Sequence, residues 1–210
     1  MLNNYLVDIN ISYKDIEKQI GNYSLKFPST RNKKVERYIK FPIFVDEFYT
    51  LLKEKGKIPL QKEFSEYYIK KHKGKDCIKK LNDKEIKALI ARLYRAFPSY
   101  IRDLHFGKLL KSKTNFADII ANSTLDVDKG IDVLIRYNQH QYGVCLYIDT
   151  KRSQNFRKSK IKYQKDGYVY IELPLNLDDC KQVGEFYLYS EKEIIQLLNT
   201  ILKIEEDGVI

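Results

Sequence analysis

Gly130-Ile-Asp132-Val-Leu-Ile-Arg-Tyr137, Asn138-Gln-His-Gln141 and Tyr142-Gly-Val-Cys-Leu-Tyr-Ile-Asp149-Thr-Lys151 form the stretch that decides the fold. Two runs rich in β-branched and aromatic residues flank a polar turn, the pattern of a β-hairpin. The spacing predicts strands over 131–137 and 142–150. Side chains alternate along a strand, so Ile131, Val133 and Ile135 share one face and Asp132 points to the other. On the second strand Val144, Leu146 and Ile148 share a face, with Cys145, Tyr147, Asp149 and Lys151 opposite. Asp149 and Lys151 then project the same way, roughly 6.5–7 Å apart. A paired register would bring Asp132 beside them.

Working outward, Pro98-Ser99 precedes a helix through about Lys111. A basic segment leads through Asp166-Gly167 to a strand over 168–173, and Gly184–Tyr189 reads as another. Ser190-Glu-Lys-Glu193 is a capping box that opens a last helix with Ile194, Ile195, Leu197, Leu198 and Ile201 on its core side. This order predicts an α/β sandwich with a mixed central sheet over 97–210. Residues 1–96 form a helical N-terminal region. In it Val45, Phe48, Leu51 and Leu52 recur at helical spacing, and Gly56–Pro59 breaks that helix. Phe64, Tyr67 and Tyr68 mark the next helix, and Asn82 with Glu85 opens a third. Three such helices have the order of a helix-turn-helix unit and equally of a small supporting bundle. Lys62, Lys70, Lys71, His72, Lys73 and Lys75 favour the first. Residues 1–42 carry one short helical signal, at 15–20.

The chain has 210 residues, 43% of them hydrophobic, which supports one or two domains with a real core. No stretch is long and apolar enough to span a membrane. The N-terminus lacks the basic and apolar regions of a secretory signal. Cys77, Cys145 and Cys180 match no zinc spacing and suit reduced thiols of a cytoplasmic protein. The formal charge is +10. Such a field attracts polyanions, with nucleic acid first, although lysine also serves simply to solvate a surface. Clustering is more telling: Lys151, Arg152, Arg157, Lys158, Lys160, Lys162 and Lys165 follow the hairpin with no acidic residue among them.

Two carboxylates on neighbouring strands suit Mg²⁺, which takes oxygen ligands and keeps positions for water and phosphate. A bound water is then acidified, and Lys151 can orient it or offset phosphate charge. Asp132, a hairpin and Asp149-Thr150-Lys151 together resemble the PD-(D/E)XK nuclease superfamily, the restriction-endonuclease-like fold, over roughly residues 97–203. The resemblance maps the first acid to Asp132, the second to Asp149 and the lysine to Lys151. It implies a further acid on the preceding helix, where Asp103 lies on an inward stripe with Gly107 and Leu110, and Asp118 is the second choice. Ile131 stands where the motif's variable proline is often found. The resemblance implies a Mg²⁺-dependent DNA endonuclease, with Mn²⁺ able to substitute, in defence or mobile-element recombination.

It further implies DNA as partner, dimers that cut both strands, and Arg152, Arg157, Lys158, Lys160 and Lys162 tracking the phosphate backbone. Blander roles exist for each residue. Asp149 and Lys151 suit an exposed ion pair, and Glu172 suits a sheet edge. His105 suits a structural hydrogen bond, while His72 and His140 suit solvent. Tyr163, Tyr168 and Tyr170 suit packing as well as base stacking. The alternatives are a non-catalytic nucleic-acid-binding adaptor with the same fold and a structural partner within a larger protein complex.

Overall fold

The computed structural model describes residues 4–151, 153, 154 and 167–207. Polar caps set where the first helices begin. Asn4 caps α1 (Tyr5–Asp8), Ser12 and Asp15 form a capping box on α2 (Tyr13–Ile20), and Asn32 caps α3 (Lys33–Arg37). Each side-chain oxygen takes up an amide that has no partner within its own helix. Residues 4–42 therefore hold more helix than apolar periodicity suggests. α4 (Phe44–Lys55) ends at Gly56, whose φ of 64° is the left-handed conformation of a helix terminus. α5 (Gln61–His72) and the single turn α6 (Asp76–Lys79) follow.

α7 (Asp83–Lys113) is one helix of 31 residues with Pro98 inside it. The sequence predicts a break there, because proline has no amide to donate and crowds the carbonyl four residues back. That carbonyl is Tyr94 O, and the Gln61 side chain donates to it instead (3.0 Å). Gln61 is buried and also bonds both backbone groups of Lys26, at 2.7 and 3.2 Å. α5 thus supplies the donor that the proline lacks. The division expected between residues 96 and 97 falls within α7. One apolar core runs from Ile16 and Phe48 through Phe106 to Leu197.

β1 (Asp118–Ile120), β2 (Val133–Tyr137), β3 (His140–Ile148) and β4 (Val169–Leu175) form one sheet in that order. All neighbours are antiparallel except the parallel β3–β4 pair, so the chain is α/β with a mixed sheet. The β2–β3 turn is two residues, not the four expected, because Asn138 adopts a left-handed φ of 52°. β5 (Lys181–Val183) and β6 (Phe186–Leu188) make a separate hairpin. The Ser190–Glu193 capping box opens α8 (Glu191–Glu206) as predicted.

Val133, Ile135, Val144, Leu146 and Leu173 share the main core with Phe106 of α7 and Leu197 of α8. On the other face Leu125, Ile131 and Leu134 form a smaller cluster. Ile131 is therefore not on the face of Val133 and Ile135, as strict alternation predicts. It instead covers Gly143, where an added Cβ would lie 2.6 Å from Ile131 Cδ1. Among the described residues no helix is long and apolar enough to cross a membrane.

Candidate functional site

Three carboxylates from three elements converge. Asp103 stands on α7, and Asp132 immediately precedes β2. Asp126 lies in a one-turn π-helix, Thr124–Lys129, that ends at Gly130 with a left-handed φ of 66°. Single π turns recur at functional sites. Asn122 shapes this turn, accepting from the Leu125 amide at 2.9 Å. Asp132 is fixed from both ends: its amide donates to Val144 O (3.0 Å) and its Oδ2 accepts from the Leu146 amide (2.6 Å). Asp103, Asp126, Asp132 and Asn122 wall a cavity of about 20 Å³, closed by Tyr49 of α4 and Tyr100 of α7. A water-sized guest needs roughly 10–15 Å³, so the cavity takes about one.

Burial, and then the neighbouring Asp132, push the Asp103 carboxyl well above the usual carboxylate range. Arg102 Nε, 3.7 Å from Asp103 Oδ1, offsets part of this, and Asp126 adds to it. Asp103 Oδ1 and Asn122 Nδ2 are buried with no hydrogen-bond partner in the protein. Among the described residues no three His, Cys, Asp or Glu side chains already stand in metal-coordinating positions. Side-chain rotation would be needed to close on an ion. Asp126 also borders an open cleft of about 250 Å³ lined by Phe41, Phe44, Arg92 and Val127.

Asp149 and Lys151 lie apart from this cluster. The β2–β3 register pairs Val133 with Val144, which sets Cys145 across from Asp132. Asp149 is four residues further on, about 13 Å along the strand. β3 ends at Ile148, and the chain turns at Thr150, whose amide and hydroxyl both contact Ser153 Oγ (3.0 and 3.1 Å). Lys151 thus lies beyond the strand instead of sharing a face with Asp149. Both are exposed, and Asp149 Oδ1 accepts from Gln154 Nε2 at 2.7 Å.

Asp118 is on β1, not on a helix, and pairs with Arg136 at 3.0 Å in solvent. Glu172 is exposed on β4, level with Cys145. His105 is fully buried with Nε2 2.7 Å from Glu17 Oε1, the structural role expected. His72 is buried rather than solvated, with Nε2 3.0 Å from Glu47 Oε1. Tyr168 and Tyr170 pack on the smaller cluster. Arg152, Arg157, Lys158, Lys160, Lys162, Tyr163 and Lys165 lie outside the described residues. Sequence reasoning missed Asp126, because nothing in Thr124–Lys129 marks a π turn. Comparisons with family models, with curated proteins and with solved structures find no match.

Proposed function

We propose that this chain is a Mg²⁺-dependent nuclease that hydrolyses phosphodiester bonds in DNA, with Asp103, Asp126 and Asp132 holding the ion. The convergence of three carboxylates on one small cavity, where Asp103 Oδ1 is buried without a hydrogen-bond partner, carries the reading. Burial and the neighbouring Asp132 make an ionised Asp103 costly, and a bound cation would relieve that cost. Bound Mg²⁺ would acidify a water and stabilise charge building on phosphorus. Asp132 is anchored by two backbone hydrogen bonds, so it would serve as the fixed ligand. Asp126 borders both the cavity and the open cleft, and so offers the route for a phosphate. The mixed sheet, with an acid-bearing helix before it, supports the resemblance to the PD-(D/E)XK superfamily. In that scheme Asp149 would be the second acid and Lys151 the lysine, but the Asp149 amide is held on Leu175 O (2.9 Å) at the end of β3, so the ion would rest on Asp103, Asp126 and Asp132. Mn²⁺ is expected to substitute. Pairing of two copies and a setting in defence or mobile-element recombination belong to the same proposal.

The separation of Asp149 and Lys151 from Asp132 favours a second reading, a nucleic-acid-binding adaptor without catalysis. One experiment divides the two. Mg²⁺ and Mn²⁺ uptake is measured by calorimetry. Cleavage of supercoiled plasmid, linear duplex and single strands is followed with metal and with EDTA. Wild type is compared with Asp132→Asn, whose amide oxygen can still accept from Leu146. Metal uptake and cleavage that Asp132→Asn loses are expected. DNA binding with neither metal uptake nor cleavage would establish the adaptor.

A further inference from the structure

We propose that the corner formed by the end of α5, the following turn and α6 is a docking surface for the phosphate backbone of duplex DNA. The surface rests on the nucleic-acid reading above but not on catalysis. It is carried first by where the charge lies. Residues 70–80 hold six lysines and one aspartate, and residues 151–166 hold seven basic residues and one aspartate. The other 183 residues hold 25 basic and 26 acidic side chains and balance as a set, with one further basic run at 31–40, five basic residues to one acidic. A lysine bias spread evenly over the surface does not produce that distribution.

The structure shows which lysines of the corner are already committed. Lys71 Nζ pairs with Glu47 (2.6 Å) and Lys80 Nζ with Asp76 (2.6 Å). Lys70, Lys73, Lys75 and Lys79 are exposed and have no ion-pair partner among the described residues. The favourable field at a helix C-terminus accounts for Lys70 and Lys73 at the end of α5 and for Lys79 in the last turn of α6, but not for Lys75, which precedes α6. The backbone beneath them is held in place. His72 is buried against Glu47, Tyr68 Oη donates to Pro42 O (2.8 Å), and Ile78 is buried in the core. The Lys75 amide donates to His72 O (2.9 Å) and the Lys79 amide to Lys75 O (2.8 Å). Four exposed ammonium groups on a hydrogen-bonded base suit phosphates, which are read as charge and not as sequence. Glu47, which anchors the corner, belongs to α4, the helix whose Val45 and Tyr49 wall the acidic cavity. The corner and the proposed site thus rest on the same helix.

Fluorescence anisotropy of a labelled DNA duplex in EDTA, over a range of salt, tests the surface without cleavage. The variant changes Lys70, Lys73, Lys75 and Lys79 to Gln, and a control changes four exposed lysines elsewhere, Lys14, Lys18, Lys40 and Lys84, to Gln. Each phosphate contact contributes about 0.9 to the slope of log affinity against log salt. The corner variant is expected to lose about 2–4 of that slope and to bind at least about tenfold more weakly, with unchanged circular dichroism. The control is expected to lose less than about 1. Equal losses in the two variants, or an unchanged corner variant beside a wild type that binds, would overturn the surface alone. A loss of polyglutamate binding as large as that of DNA binding would overturn its assignment to DNA. A wild type that binds no nucleic acid would remove the proposed function as well.

Discussion

Asp103 takes its chemical character from its neighbours. Burial and then Asp132 hold its carboxyl well above the usual carboxylate range. A folded-state value above the unfolded one stabilises the protein below the unfolded value, and that stability is lost as pH rises through the folded value. Metal-free wild type should therefore lose stability relative to Asp103→Asn as pH rises from about 4. At neutral pH the variant is expected to melt about 2–4 °C higher, a gap that closes near pH 4, in thermal scans with chelator. Mg²⁺ needs the carboxylate ionised, so calorimetric affinity should rise over the same window, and the variant should lose it. Glu17 has the opposite sign. Burial works against its ionisation, but the Lys181 and His105 hydrogen bonds outweigh burial and hold it below the usual range. Glu17→Gln is expected to cost about 1.5–3 kcal/mol by urea unfolding at pH 7. That cost should shrink as pH falls through the folded value of Glu17. Asp132 and Asp103 were legible because an acid beside an apolar strand, or on an inward helical stripe, stands out. Asp126 was not, since only the π turn aims it inward. His72 was misread because its sequence neighbours are lysines, whereas its partner Glu47 is 25 residues away.

Elements that begin with a local cap could be read directly. Asn82 with Glu85 and Ser190 with Glu193 each close within four residues, and both boxes form. Ser190→Ala should cost about 1 kcal/mol in urea unfolding. The continuity of α7 could not be read, because the donor that replaces the Pro98 amide comes from Gln61, 33 residues before Tyr94. Gln61→Ala is expected to cost about 1–3 kcal/mol, leaving Tyr94 O and the Lys26 backbone groups short of partners. In Pro98→Ala the residue 98 amide can donate to Tyr94 O, so the cost of Gln61→Ala should fall. A double-mutant cycle measures that coupling, and full additivity would contradict the assignment. β1 was missed for a related reason. Three residues carry no period, and the strand exists only because Ile119 pairs with Ile135.

At the scale of the whole molecule, α7 is shared property. Its N-terminal half packs in the helical region and its C-terminal half underlies the sheet, within one apolar core. Urea unfolding should therefore be a single transition, with far-ultraviolet and tyrosine near-ultraviolet signals coincident. A chain cut between residues 96 and 97 should not give two folded halves. The α/β character and mixed sheet were legible from the hairpin and capping pattern. The register was not, and a shift of four residues along β3 separates the expected site from the observed acid cluster. The walls of that cluster have one more consequence. Tyr5 and Tyr49 stack with ring centres 3.9 Å apart, both rings border the cavity with Tyr100, and the chain has 17 tyrosines and no tryptophan. Any ion seated among the acids would lie beside three phenol chromophores with no indole to mask them. Terbium bound there should glow green when tyrosine is excited, so the protein carries its own optical gauge of cation entry.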